Sequence, residues 1–432
     1  MDIDEEFSPD EEKLWQAFHK IPMPQDTPLL FDRAPWTKKI RRPARHWVKP
    51  FFVLAVFIVG SGGWYVFRTI SRQLSVSYLV PANLSEIRMN TVTTGWAIGH
   101  NSQSIYHTTS GGQYWSKVLA LPSNNPPPYA MAFPTGNDAE LVEYNVEGQT
   151  VSVYQTSDQG KRWHTTLLPI RPTALNGATI ITTVGRQYVG LDISRAQSLT
   201  VALFYRSNRS TSWHPLNFEP SLANVAALSP GPQGSLWMVA QASSGKDFSL
   251  LESRDAGQRW LPVNLPPLPV KNSLSLPLPP EFFGNIGILP VVLSIAHVPP
   301  VFPSSQVWIY RTQDGGKHWF PWTHYQSMLG DIEAVSPNHI WATATSAPGS
   351  LGTQPAADPF SILTLRHGHW TSLPLPSGIT HSRPSDQLLE VDFVDADTGW
   401  MIVNKNNGDA RLWVTHNGGK SWHALHPALD NS

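Results

Sequence analysis

The sequence predicts an all-β fold: a ring of seven four-stranded antiparallel blades, preceded by one transmembrane helix and a short cytoplasmic tail. Three observations predict it. Seven tryptophans, Trp115, Trp163, Trp213, Trp260, Trp319, Trp370 and Trp422, recur at intervals of 48, 50, 47, 59, 51 and 52 residues. A period near 50 residues is the mark of a repeat architecture. Most of these tryptophans close the same eight-residue box, and ahead of the repeats Phe51 to Phe67 runs 17 residues without a charge.

The box reads Thr-x-Asp-x-Gly-x-x-Trp. Thr156, Asp158, Gly160 and Trp163 form one copy, and Ser253, Asp255, Gly257 and Trp260 a second. Thr312, Asp314, Gly316 and Trp319 form a third, and Thr415, Asn417, Gly419 and Trp422 follow with Asn for Asp. Thr108, Gly112 and Trp115 keep all but the acid, with Ser110 in its place. Arg206 to Trp213 is degenerate, and around Trp370 only the tryptophan survives, after His367-Gly368-His369. This is hairpin chemistry. A short Asp or Asn side chain can accept from backbone N–H groups two residues on, and Gly takes the positive φ that closes the turn. The tryptophan opens the next strand and brings about 150–250 Å² of apolar surface to a neighbour.

A second register lies 19 to 29 residues upstream of the box tryptophans, at Gly95-Trp96, Leu236-Trp237, Ile340-Trp341 and Gly399-Trp400. Tyr144 and Tyr188 are read into a similar place in two other units. Several short strands in each unit of about 50 residues, repeated seven times, fit four-stranded blades around an axis. A ring also protects strand edges from pairing with other chains.

The box resembles the Asp-box, or BNR repeat, of sialidases and sortilin-type receptors. The fuller unit, Gly-Trp upstream and Thr-x-Asp-Gly-Gly-x-x-Trp downstream, is most similar to the photosystem II stability/assembly factor type of propeller. The likeness covers roughly residues 77–428. It implies a seven-bladed β-propeller whose boxes are structural turns remote from any active site. It also implies, as one reading, an assembly factor for a membrane complex. A fold alone does not carry a function, and the chain departs from those factors in one respect. Their family picture includes an arginine-rich surface, whereas residues 73–432 carry 20 Lys and Arg against 23 Asp and Glu, net −3. That balance leaves no electrostatic footprint for nucleic acid.

Composition agrees with a β-ring: 18 Trp and 39 Pro, with only 15% charged residues. With no cysteine there is no disulfide, thiolate metal site or Cys nucleophile.

The charge-free run meets the length of about 17–25 apolar residues that a spanning helix needs, and residues 50–70 are assigned to it. Arg33, Lys38, Lys39, Arg41, Arg42, Arg45 and Lys49 precede it, and only Arg68 and Arg72 follow. The positive-inside bias therefore puts residues 1–49 in the cytoplasm and the propeller, 73–432, outside the cell membrane. Within the tail, Ser8-Pro9-Asp10-Glu11 reads as a capping box. Leu14, Trp15, Phe18 and Ile21 then line one face of an amphipathic helix over about 9–20. Its readings are a docking helix for a cytoplasmic partner or a loosely ordered tail on the membrane. Residues 22–36, with four prolines, read as a linker, and the basic run 33–49 as a topology signal that attracts anionic lipid. Residues 73–80 look like a strand that completes the last blade.

No catalytic residue, cofactor or metal ligand is assigned. Sialidases carry a Phe/Tyr-Arg-Ile-Pro motif early in the first blade, and Ser75 to Asn90 has none; Ile170-Arg171-Pro172 is a partial match in the wrong place. Other glycosidases use two facing carboxylates. Candidates are Asp395, Asp397 and Glu140, with Asp395-Ala-Asp397 better read as a loop. His367 and His369 lack a third ligand nearby and read as surface histidines. One region breaks the period: between Trp260 and Trp319 the residues 265–303 are rich in proline and apolar side chains, and read as an insertion. Insertions in repeats map to one face, often the binding face. Phe282, Phe283 and Phe302 would be exposed anchors there if the loops project, and rim packing if they do not.

The expected function is a non-catalytic scaffold or receptor that binds a protein or glycan on the propeller face. The alternatives are a cell-surface glycoside hydrolase and the assembly factor. A facing carboxylate pair at the central channel would favour the hydrolase; an apolar or aromatic patch would favour binding.

Overall fold

The computed structural model describes residues 83–430, apart from 100–101, 122–127, 196–197, 208–209, 219–221, 243–247, 269–272, 296–303, 328, 346–359, 377–378, 380–386 and 405–409. The expected tail, spanning helix and closing strand at 73–80 lie outside these residues, as does Phe302. Among the described residues no helix is long and apolar enough to cross a membrane.

Seven antiparallel sheets follow one another along the chain. Blade 1 holds β1 (Leu84–Met89), β2 (Gly95–Gly99), β3 (Ser104–Thr108) and β4 (Tyr114–Ala120). Blade 2 holds β5 (Ala130–Ala132), β6 (Ala139–Asn145), β7 (Thr150–Thr156) and β8 (His164–Leu167). Blade 3 holds β9 (Ala174–Thr183), β10 (Arg186–Arg195), β11 (Ser198–Ser207) and β12 (His214–Leu216). Blade 4 holds β13 (Leu222–Pro230), β14 (Leu236–Ala242), β15 (Phe248–Ser253) and β16 (Leu261–Pro262). Blade 5 holds β17 (Ser273–Pro277), β18 (Glu281–Phe283), β19 (Ile286–Ile295), β20 (Ser304–Thr312) and β21 (Phe320–Tyr325). Blade 6 holds β22 (Leu329–Ser336), β23 (His339–Thr345), β24 (Phe360–Arg366) and β25 (His369–Leu373). Blade 7 holds β26 (Gln387–Phe393), β27 (Gly399–Asn404), β28 (Ala410–Thr415) and β29 (His423–Leu425). A last strand, β30 (Ala428–Leu429), lies parallel to β4 on the outer edge of blade 1.

The strand sequences follow from their place in the blade. The second strands are covered on both faces, so β2 is buried at every residue; doubly covered strands read as near-continuous apolar runs. The fourth strand β4 lies further out and exposes Tyr114, Lys117 and Ala120.

The hydrophobic core is not central. It is divided into seven clusters, each shared by two consecutive blades. The seam between blades 7 and 1 joins Trp400, Ile402 and Leu412 to Ile87, Met89 and Trp115. Ring closure therefore rests on the same apolar packing as the other six seams, reinforced by β30. Its Ala428 N–H donates to the Gln113 carbonyl at 3.0 Å, and the Asp430 N–H to the Trp115 carbonyl at 2.8 Å.

The segment 265–303 differs from the expected insertion. Its residues 273–277, 281–283 and 286–295 are strands of blade 5. The prolines instead mark a break in the innermost strand: between β17 and β18 the chain carries one extra residue opposite β19. There Leu278 N–H donates to the Pro290 carbonyl at 2.8 Å. Proline sits in a sheet at such irregularities because it has no N–H for the ladder.

Candidate functional site

The boxes turn the third strand of a blade into the fourth. Thr156 Oγ1 accepts from Gly160 N–H at 3.0 Å and donates to Asp158 Oδ1 at 3.0 Å, and that oxygen accepts from Arg162 N–H at 2.9 Å. Ser253, Asp255, Gly257 and Arg259 repeat the set at 2.8–2.9 Å. Thr312, Asp314, Gly316 and His318 repeat it at 2.9–3.0 Å. Asn417 Oδ1 serves in place of the acid, accepting from Ser421 N–H at 2.9 Å, with Gly419 N–H on Thr415 Oγ1 at 3.0 Å. In the first box Thr108 Oγ1 accepts from Gly112 N–H, and Ser110 Oγ from Tyr114 N–H. The Arg162 N–H, and after it the Arg162 guanidinium, hold the Asp158 carboxyl down at about 2.

Gly112, Gly160, Gly257, Gly316 and Gly419 all sit at φ of +79 to +91°. Their second role was not legible locally: the preceding blade closes on them. A Cβ on Gly316 would lie 2.4 Å from Trp237, and one on Gly160 2.5 Å from Val118. Trp115, Trp260, Trp319 and Trp422 are buried in the seams, and Trp163 is half-buried with its Nε1–H on the Val118 carbonyl of blade 1 at 3.0 Å.

Around the channel, the innermost strands of blades 5, 6, 7 and 1 gather Glu281, Asp331, Glu333, Glu390, Asp392 and Glu86 about one guanidinium among the described residues, Arg88. Arg88 Nη1 lies 2.6 Å from Glu333 Oε2 and 3.1 Å from Asp392 Oδ1. Most of these carboxylates also cap the inner edge of the next blade. Glu281 accepts from Ala334 N–H, Asp331 from Val391 N–H at 3.3 Å, Glu390 from Ile87 N–H at 2.8 Å and Asp392 from Met89 N–H. An innermost strand has no partner on its channel side, so its N–H groups need such acceptors. Burial pushes Asp392 up to about 6, Glu281 to about 7 and Glu333 to about 8, against the pull of Arg88. The group is thus a run of inter-blade clamps.

The second-strand position opposite the residue before each box is a plug that faces the next blade. The pairings place there Trp96 opposite His107, Trp237 opposite Glu252, Trp400 opposite Val414 and Ile288 opposite Arg311. Trp341 holds the place in blade 6 and Tyr188, opposite Tyr205, in blade 3. In blade 2 the place belongs to Glu140, opposite Gln155. Tyr144, expected there from spacing, lies four residues on and donates its hydroxyl to the Pro172 carbonyl at 3.0 Å. Where the plug is Glu140, a cavity of about 580 Å³ opens between blades 2 and 3. Glu140 is 3% exposed. It accepts from Thr182 Oγ1 at 2.9–3.0 Å and from Gln187 Nε2. Gln187 Oε1 accepts from Gln155 Nε2 at 2.8 Å and from Arg206 Nε. Burial raises the Glu140 carboxyl, opposed first by the Thr182 hydroxyl and then by Arg206.

The other residues singled out from sequence are not brought together. Asp395 Oδ1 accepts from Asp397 N–H at 2.9 Å and Thr398 N–H at 2.6 Å, forming the turn into β27. His367, at φ +53°, opens the tight turn between β24 and β25. Among the described residues no group of His, Asp and Glu is placed to hold a metal ion. Phe282 and Phe283 are half-buried. Phe282 packs on Trp237 and Trp319 at ring-centre distances of 5.2 and 6.0 Å, and Phe283 packs into the seam of blades 5 and 6.

A family model described as the photosynthesis system II assembly factor YCF48 matches residues 62–246. No curated protein matches the chain. Among solved structures, YCF48 bound to D1 peptide is 15% identical, covering 78% of this chain and 95% of that one, with a TM-score of 0.47. YCF48 from Cyanidioschyzon merolae is 13% identical, covering 78% and 96%, with a TM-score of 0.47. The oligogalacturonate lyase of Vibrio parahaemolyticus is 7% identical, covering 78% and 90%, with a TM-score of 0.53, a likeness of fold. The chain is an Asp-box seven-bladed β-propeller. It resembles the photosystem II assembly factor.

Proposed function

We propose that this protein is a membrane-anchored, non-catalytic binding module whose extracytoplasmic propeller holds a protein partner, as an assembly factor or scaffold does. The observation that carries the reading is the family match over residues 62–246, which spans blades 1 to 3 and the first two strands of blade 4. Five of the channel carboxylates support it: Glu281, Asp331, Glu390 and Asp392 are committed to backbone N–H groups of the next blade, and Glu333 and Asp392 to Arg88. A glycosidase needs two carboxyl groups free to flank the scissile bond. The charge-free run at 51–67 and its basic flank support anchorage with the N-terminus inside. A glycan on the same face is the alternative ligand class.

The test is co-purification of the full chain from native membranes, beside a screen for glycoside hydrolysis. A specific protein partner with no hydrolysis is the expected result. Turnover of any glycoside, abolished by Asp392→Asn or Glu333→Gln in a folded protein, would overturn the reading. Protease protection of the propeller in sealed cells tests the topology: accessibility from outside is expected, and digestion only after lysis would refute it.

A further inference from the structure

Six of the seven plug positions hold an apolar or aromatic side chain, and the seventh holds Glu140. The aromatic plugs close their seams. Trp96 donates Nε1–H to the Thr135 carbonyl of blade 2 at 3.0 Å, and Trp400 to the Gly111 carbonyl of blade 1 at 3.0 Å. A glutamate is smaller than an indole, and its charge resists burial. Between blades 2 and 3 the seam accordingly stays open at the box end, while the cluster of Val142, Val153, Leu191 and Phe204 seals it below. The floor of the opening is polar yet well buried: Glu140 is 3% exposed, Gln187 8% and Gln155 9%. A seam needing only stability has no use for such a floor, since an apolar plug of the right volume does at least as well as a buried ionic network.

The charge of the opening is unbalanced. Glu140 and Asp138 line it with one fixed cation, Arg206. Arg206 is already engaged: its Nε–H is on Gln187 Oε1, and its guanidinium lies over the Trp213 ring at 5.1 Å from the centroid. Ionised carboxylates only accept hydrogen bonds, with about four lone-pair sites each. Lys and Arg side chains only donate. The volume lies within the range of roughly 300–1,000 Å³ typical of built ligand sites.

We infer that the cleft between blades 2 and 3 is a binding site for a basic side chain, arginine or lysine, carried by an extended polypeptide segment laid across the box face. The partner's cation takes the place that an indole fills in neighbouring seams, and its acceptor is Glu140 Oε2, which receives only the Thr182 hydroxyl while Gln155, Thr182 and Gln187 crowd Oε1. Ser157, His164 and Thr166 at the mouth meet the backbone on either side. This rests on the protein-binding reading above and gives it a location.

The test uses the full chain and a fluorescein-labelled peptide, Gly-Ser-Gly-Arg-Gly-Ser-Gly, with its lysine and citrulline counterparts, read by fluorescence anisotropy. Citrulline keeps the shape and loses the charge. The arginine or lysine peptide is expected to bind at least tenfold more tightly than the citrulline peptide. Glu140→Gln is expected to weaken it at least tenfold. Glu140→Trp, which restores the plug, is expected to abolish binding with the melting temperature held or raised. Equal affinity for arginine, lysine and citrulline peptides, unchanged binding in both variants, or no binding of any peptide would overturn the inference. So would displacement of the peptide by glucose or galactose at equal concentration, which would mark a sugar site. Capture of the membrane partner by Glu140→Trp protein, with peptide binding lost, would refute this site while leaving the protein-binding reading intact.

Discussion

Trp115 and Trp260 occupy the same place in their boxes, but their indole N–H groups have different fates. Trp115 Nε1–H donates to the Gly112 carbonyl at 2.9 Å, whereas Trp260 Nε1–H is buried without a partner. Trp115→Phe and Trp260→Phe remove similar volume. They differ in whether a bond is broken or an unpaired donor is removed. The first is expected to cost about 1–2 kcal/mol more than the second, the worth of a buried hydrogen bond, read as the shift in denaturant midpoint. A box glycine and the glycine of the β18–β19 turn make a second pair. Gly316→Ala meets both a φ of +90° and a Cβ 2.4 Å from Trp237, whereas Gly284→Ala meets only φ +65° with open space around it. Left-handed backbone alone costs about 1–2 kcal/mol, and overpacking adds about 1–3. Gly316→Ala should therefore destabilise clearly more, and equal effects would show that the close approach of the blades is unimportant. The glycine's φ was legible from the box. Its contact with the preceding blade was not, because that contact joins residues about 80 apart in sequence.

At the scale of elements, β30 pairs with β4 across the seam that closes the ring. The residues 73–80 look like a strand completing the last blade, and they lie outside the described residues. In the described structure blade 7 has four strands of its own, β26 to β29, and the visible staple is β30 on β4. Truncation after Pro427 removes the two backbone bonds made by Ala428 and Asp430. It is expected to cost about 1–3 kcal/mol at roughly 0.5–1.5 per bond, with the seven-bladed fold retained by circular dichroism. No change in midpoint would show that the seam of Trp400 and Trp115 suffices. The segment 265–303 teaches the complementary lesson. A run of prolines in a sequence reads as a loop, yet here Pro277 and Pro290 lie within strands beside a bulge, where a missing N–H does no harm.

The molecule as a whole carries two opposite families of carboxyls, and they set its response to pH. Asp392, Glu281 and Glu333 are raised by burial to about 6, 7 and 8, above their unfolded values near 4. In that window the folded state binds more protons than the unfolded chain, so stability falls as pH rises from about 4 to about 8. The box acid Asp158 is depressed to about 2, and Asp314 is also lowered, by backbone N–H groups. Their contribution is present above pH 4 and is lost as pH falls toward 2. Thermal melting is therefore expected to peak in mild acid, about pH 4–5, and to decline toward pH 8.5. Asp392→Asn should flatten the part of the decline below about pH 6. A melting temperature that rose steadily from pH 5 to 8.5 would contradict this account of the channel.

The sequence by itself determined the fold, the number of blades and the box turns. Those depend on local chemistry repeated at a fixed period: a hydroxyl, an acid and a glycine bonding within eight residues, and a tryptophan at every turn. The tertiary structure alone decided which strand positions meet across a seam. Trp96 and Glu140 look unrelated in the chain, one aromatic and one acidic, 44 residues apart. They become equivalent only through strand register, since a shift of one residue turns a side chain to the opposite face. The same holds for the channel carboxylates, which lie on four separate blades and gain their proximity, their raised affinity for protons and their backbone partners only when the ring closes.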